Sequence, residues 1–379
     1  MVNFMIEFDF SIYNTSSKYV VLFDSYINIV GDSRVKLFEN LMINRSTFYR
    51  GKEQENIINY SIINKLALHY NMPRATSSLV KEVEKLANKV YNNMYYMIYD
   101  FYEEDMYHID NKINRNVILF PILKLLKLLM LVCNSRDILV QSKETEKLYY
   151  EVKEYSAFFE DKLNTVLDII SLIFEGEKTK ENVLKRYDNA LAYEILCKIS
   201  YKDNDYIEAL YFANKAKEIY SKEMNFKRII SVNRIIISSL LHVGKYEQAY
   251  QILKHQKLCV RTFGNDPIDT AVTNMDMYIA LLGLEKYETI INMLKNKKPL
   301  NTIEYICYLT SLYKANVKEY FQHINNELDN YSSNINDMNL IRLLILYFKS
   351  NNEKFFDTLK DDKIYAPILK ILENINDQD

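Results

Sequence analysis

At 379 residues the chain exceeds one ordinary domain, and a formal net charge of -2 excludes a molecule-wide field of the kind that gathers nucleic acid. Hydrophobic residues at 49% and charged residues at 26% place it among soluble globular proteins. Six glycines and five prolines are too few for the turns of a β-sandwich or a parallel α/β fold, so composition predicts a mostly α protein.

Cys133, Cys197, Cys259 and Cys307 lie far apart, with no CxxC or His-linked spacing. They give no support to zinc or to a disulfide framework, and read as free thiols in a reducing compartment. No GxGxxG, GxxxxGK[ST], HExxH or GxSxG motif occurs, and His69, His108, His242, His255 and His323 are dispersed. Neither an enzyme, a catalytic residue, a metal nor a cofactor is expected. The opening MVNFMIEFDF lacks the basic stretch of a signal peptide and carries acids among its apolar residues, so the expected location is cytoplasmic.

In chain order, Phe4, Ile6, Phe8, Phe10 and Ile12 alternate with polar residues and Met5, a period of two that predicts a short strand. Its partner is either the segment from Tyr19 to Val30 or another subunit. From Ser33 the spacing becomes helical. Leu37 and Leu41 are an i, i+4 pair, Ile43 follows a short turn, and Phe48 comes five residues later.

This segment, LFENLMINRSTFYR, resembles the helix-turn-helix of the phage Cro and repressor proteins, with Asn44 at the N-cap of the recognition helix. IINKLALHYNM (Ile62 to Met72) resembles the closing helix of that domain. Two positions depart from the pattern: Phe38 replaces a small residue at the helix crossing, and Met42 replaces the turn glycine. The resemblance implies a DNA-binding domain over residues 1–73. Double-stranded DNA would be contacted by Arg34, Lys36, Asn44, Arg45, Ser46, Thr47, Tyr49, Arg50 and Lys52, a locally basic set.

Residues 74–111 form a linker region. Leu79, Val83, Leu86, Val90, Met94, Met97 and Phe101 recur at spacings of three and four, after a cap at Ser77 or Ser78. That stripe packs either on its copy in a homodimer or within the chain. The longest apolar run, Val117 to Val132, is interrupted by Lys124 and Lys127 and reads as a buried helix entered through Pro121, with no membrane partner.

Residues 112–379 carry an internal repeat. NDYIEALYFANKA, GKYEQAYQILKHQ and EKYETIINMLKNK align on Tyr206, Tyr246 and Tyr287, which are 40 and 41 residues apart. Each follows a helical segment, a pairing that resembles degenerate tetratricopeptide repeats in an α-solenoid. KANVKEYFQHI and SNNEKFFDTL read as worn copies.

A helix-turn-helix followed by such repeats resembles the peptide-pheromone receptors of low-GC Gram-positive bacteria and their phages and plasmids (the Rap–Rgg–NprR–PlcR–PrgX group, with the AimR phage receptors nearby). The resemblance implies a quorum-sensing transcription regulator, a homodimer whose repeats hold a short signalling peptide. In that group asparagines of the inner helices clamp the peptide backbone, since one amide both donates and accepts. Asn233 and Asn274 each stand thirteen residues before their repeat tyrosine, and Tyr193 holds that place in the preceding repeat. The resemblance assigns both asparagines to the peptide, with Arg234 for its carboxylate, and makes neither asparagine part of the apolar core. The alternative is a Rap-like regulator or scaffold that binds protein and no DNA.

Overall fold

The computed structural model describes residues 7–53, 60–98, 102–114, 118–134, 139–186, 188–263, 267–295, 301–315, 338–350, 354–360 and 362–376. The protein is mostly α, with twenty α-helices and no strand among the described residues. The chain divides into two compact units, Met1–Leu196 and Cys197–Asp379, so residues 74–196 belong with the N-terminal segment.

The first unit is built from α1 (Ser16–Val30), α2 (Arg34–Asn40), α3 (Arg45–Glu53), α4 (Tyr60–His69), α5 (Ser77–Tyr95), α6 (Tyr102–Asn114), α7 (Phe120–Asn134), α8 (Lys143–Lys153), α9 (Asp161–Glu175) and α10 (Glu177–Arg186). Helix α1 packs on α3 and α4 and buries Tyr19, Val20, Leu22, Phe23 and Ile27. The apolar run around Pro121 is indeed a buried helix, α7. No helix among the described residues is long and apolar enough to cross a membrane.

The predicted strand does not form. Residues 7–10 form no regular element and 11–14 make a 3-10 turn, while residues 4–6 lie outside the described residues. The alternation has another cause. Phe8 and Phe10 are buried, and helix side chains take the place of a neighbouring strand. The Phe8 N–H donates to Asn88 Oδ1 at 2.9 Å, Asn88 Nδ2 donates back to the Phe8 carbonyl at 3.3 Å, and the Phe10 N–H donates to Glu84 at 2.7 Å. Phe8 also meets Tyr91 edge-on at 5.7 Å. An irregular segment is thus bonded along α5, which satisfies these backbone groups without a sheet.

The stripe on α5 is rotated slightly from the expected one. Val80, Val83, Ala87, Val90, Tyr91 and Met94 are buried within the unit, and Thr76, not Ser77 or Ser78, accepts the capping bond from the Leu79 N–H at 3.2 Å. The helix stops at Tyr95, so Met97 lies beyond it and Phe101 lies outside the described residues.

Helix α11 (Ala190–Lys202) leads into the second unit, which continues with α12 (Tyr206–Lys222), α13 (Phe226–His242), α14 (Tyr246–Phe263), α15 (Pro267–Gly283), α16 (Tyr287–Lys295), α17 (Thr302–Lys314), α18 (Met338–Ser350), α19 (Lys354–Leu359) and α20 (Ala366–Asn376). The three aligned tyrosines open α12, α14 and α16. Consecutive helices from α12 to α17 pack in sequence, while α13, α15 and α17 also touch one another as an inner row. The SNNEKFFDTL segment includes α19, whereas most of KANVKEYFQHI lies outside the described residues.

The repeat tyrosines act as spacers. Tyr206 stacks on His242 with centroids 4.4 Å apart. Tyr246 lies where a side chain on Gly283 would be, since a Cβ there would approach its ring to 2.4 Å. Tyr206 and Tyr246 are therefore each covered by the end of the next inner helix. Three long-range contacts tie α20 and the turn before it to these helix ends. Lys363 Nζ donates to the Lys202 carbonyl at 2.6 Å, Lys370 Nζ to the His242 carbonyl at 3.5 Å, and His242 Nε2 faces the Lys363 carbonyl at 3.2 Å. Cations thus meet the negative ends of α11 and α13.

Eight helix ends are closed by one device. At Gly31, Met42, Asn71, Met97, Asn204, Met224, Gly244 and Glu285 the backbone is left-handed, with φ between 48 and 79°. In each case that residue's N–H bonds the carbonyl three back, and the next N–H bonds the carbonyl five back. This closure satisfies two orphan carbonyls and reverses the chain. Where Asn204 and Met224 occupy it, the next residues, Asp205 and Asn225, at once cap α12 and α13. A non-glycine residue in this conformation costs about 1–2 kcal/mol, partly offset by the lower entropy of its unfolded chain. Met224 is 70% exposed and buries little. Met224→Gly should therefore stabilise the protein by about 0.5–1 kcal/mol, and Met224→Val should destabilise it, as read from urea midpoints at constant m.

Candidate functional site

Two surfaces gather the candidate residues, one in each unit. In the first, α2 and α3 meet through Phe38 and Phe48, whose ring centroids lie 5.0 Å apart. Leu37, Ile43 and the fully buried Phe48 complete the small core beneath them. Met42 occupies the left-handed closure that a glycine fills more cheaply, and its side chain is 86% exposed. Asn44 Oδ1 accepts from the Thr47 N–H at 3.2 Å and from Ser46 Oγ at 2.7 Å, so it caps α3 as expected.

With Phe48 pointing inward, Arg45, Ser46 and Arg50 are exposed and Thr47 and Tyr49 half-buried. Arg45 lies over the Tyr49 ring at 5.9 Å, and Arg50 Nε donates to the Ser46 carbonyl at 3.3 Å. Lys36 is exposed on α2. Arg34 stands apart from this group: its guanidinium is bonded to Asp24 on α1 at 2.8 Å, an internal contact. Lys52 belongs to α3, but its side chain lies outside the described residues. Lys65 was not among the expected residues. It reaches from α4 to the Met42 carbonyl at 3.2 Å and adds a cation beside the turn, which only the folded arrangement of α4 reveals.

In the second unit, a polar cluster joins α11, α13 and α15. Arg234 on α13 ion-pairs with Asp269 on α15. Asp276 lies two helical turns beyond Asp269 on the same face of α15. Burial pushes its carboxyl up to about 7, opposed in part by the Arg234 charge. Tyr201 on α11 is pushed up to about 12, chiefly by burial and then by Tyr206 and Asp276, while a hydrogen bond with Ser238 lowers it. The cluster is thus one guanidinium against two carboxyls, in a setting that disfavours the second negative charge.

Asn233 and Asn274 are placed differently from each other. Asn274 is half-buried on α15. Asn233 is 4% exposed and belongs to the interior, contrary to its expected independence of the core. Its Nδ2 donates to Gln256 Oε1 at 3.0 Å, and Gln256 Nε2 donates to the Ile230 carbonyl at 3.0 Å, a relay between α13 and α14. Asn233 Oδ1 has no hydrogen-bond partner. Asp276 escaped the sequence reading, although an acid set inside TNMDMYIALLG was its visible trace.

None of the four cysteines is in a disulfide, and Cys197 and Cys307 are buried. Among the described residues no group of His, Cys, Asp or Glu is arranged to hold a metal ion. No protein family, curated protein or solved structure matches the chain.

Two outcomes follow from the second-unit geometry. Asn233→Ala strands buried groups of the Gln256 relay, so it should lower stability by about 1–3 kcal/mol in chemical denaturation. Asp276 binds a proton more tightly folded (about 7) than its ordinary value of 3.8, so its carboxylate opposes folding fully above pH about 7. That penalty disappears as pH falls toward 4. Melting curves should therefore show Asp276→Asn more stable than the wild type at pH 8, with the gain gone at pH 4.

Proposed function

We propose that the protein is a cytoplasmic transcription regulator that binds double-stranded DNA through α2 and α3 and responds to a short peptide held by the inner helices of its second unit. The observation that carries the DNA reading is the coincidence of three features at one turn. The left-handed closure at Met42 reverses the chain, Asn44 caps the next helix, and Phe48 anchors that helix so that Arg45, Ser46 and Arg50 stay exposed. A short, anchored helix with an exposed polar N-terminal turn is the shape that enters a major groove. Neither departure from the Cro-like pattern prevents it, because Phe38 packs against Phe48 and Met42 adopts the backbone of the glycine it replaces.

For the peptide reading, the support is the row α13, α15 and α17 with a polar cluster between α13 and α15. Peptide amides satisfy polar groups of this kind in pairs. A homodimer would set two α3 helices at the spacing of operator half-sites.

Arg45→Ala should relax base preference at one operator position and weaken binding there by about 1–3 kcal/mol. Lys36→Ala should weaken all sequences equally and flatten the salt dependence. Arg34→Ala should instead lower stability, because it removes the ion pair that ties α2 to Asp24 on α1. The measurement is selection from random duplexes, followed by titration at several salt concentrations. If the wild type retains no duplex at low salt, the DNA reading fails and a protein-binding regulator replaces it.

A further inference from the structure

The packing behind α3 also fixes one arginine, and that carries an inference about the base it reads. Three rings stand in series beneath it. The fully buried Phe48 meets Phe38 at 5.0 Å and Tyr49 edge-on at 5.5 Å. Tyr49 in turn carries the Arg45 guanidinium 5.9 Å from its ring centre, within the range of a cation–ring attraction. Helical side chains lean toward the N-terminus, so Tyr49, four positions on, lies over the turn that bears Arg45. Phe38, the bulky departure at the helix crossing, is thus the base of the series.

The polar side chains of this exposed face are not equally free. Ser46 Oγ is bonded to Asn44 Oδ1 at 2.7 Å, and Arg50 Nε donates to the Ser46 carbonyl at 3.3 Å. Arg45 makes no hydrogen bond or ion pair among the described residues, and only the Tyr49 ring holds it. A guanidinium presents paired donors in a fixed plane. Guanine offers two acceptors, O6 and N7, side by side in the major groove. Adenine sets a donor beside its acceptor, and thymine a methyl group. A guanidinium already held in place gains most from guanine, because less motion is lost on binding.

We propose that Tyr49 is a positioning residue: its ring holds Arg45 to take a guanine edge in the major groove, while Phe38 and Phe48 hold the ring. This rests on the reading of α2 and α3 as DNA-binding. It also revises the role expected for Tyr49, which acts on DNA through Arg45 and not by its own hydroxyl.

The test uses the full chain and an operator selected from random duplexes. Each position is then changed to the other three base pairs and titrated in competition. Arg45→Ala marks the position that Arg45 reads, where the wild type should prefer guanine by about tenfold or more. Tyr49→Leu keeps an apolar side chain against Phe48. It should shrink that preference about two- to fivefold and leave preferences elsewhere in place. Tyr49→Phe keeps the ring and should restore the preference. Arg45→Lys leaves Tyr49 untouched and keeps the charge but lacks the fork, so it should lose most of the preference for guanine.

Four results overturn the proposal and leave DNA binding standing: no position marked by Arg45→Ala, another base preferred there, full preference in Tyr49→Leu or Arg45→Lys, or equal losses in Tyr49→Phe and Tyr49→Leu. A loss spread over all positions in Tyr49→Leu also overturns it, being the mark of a damaged fold. A wild type that retains no duplex removes both readings.

Discussion

Eight of the helix ends turn on a residue forced into the left-handed region. The helix leaves its last carbonyls unpaired, and the closing pair of bonds can form only if that residue turns the chain back over the final turn. Because the same two bonds recur from Gly31 to Glu285, successive helices are delivered with nearly the same reversal, and side chains of fixed reach can then repeat. The stacking of Tyr206 on His242 and of Tyr246 on Gly283 depends on that regularity. Glycine would be the cheapest residue at these points, yet only Gly31 and Gly244 supply it among the eight. Met, Asn and Glu hold the rest, so packing elsewhere must offset the backbone strain.

Much of that packing is done by tyrosine, which also ties segments together with its hydroxyl. Tyr13 accepts from the Glu160 N–H at 2.7 Å, and Tyr19 accepts from the Ala75 N–H at 3.3 Å while donating to Asn14. Tyr70 donates to Asp32 at 2.7 Å, and Tyr149 to Glu175 at 2.6 Å. A chain without tryptophan thus obtains both ring burial and a polar handle from one residue type.

The helical class was legible because periodicity is local, and so were the α2–α3 turn and the cap at Asn44. What was not legible is what faces a segment. The alternation around Phe8 and Phe10 has the period of a strand, and nothing near it in sequence reveals that Glu84 and Asn88 supply the bonds. Depth was equally hidden. Asn233 and Asn274 share a register, but Gln256 from the next helix seals the first. Asp276 passed unnoticed among apolar neighbours because its importance comes from Arg234, a residue on another helix. The turn at Met42 teaches the reverse point. A residue that breaks a sequence pattern can still adopt the required backbone when the two closing bonds outweigh its strain.

The contacts of Lys363 and Lys370 change how the second unit must assemble. A stack of helix pairs touching only its neighbours could grow one pair at a time from any starting point. Here the partners are separated by 161, 121 and 128 positions, joining the ends of α11 and α13 to residues translated long after them. During synthesis those helix ends stay open to water and to chaperones until the later segment emerges. Completion of the unit is then a single late event, governed by closure of a long loop and not by stepwise propagation.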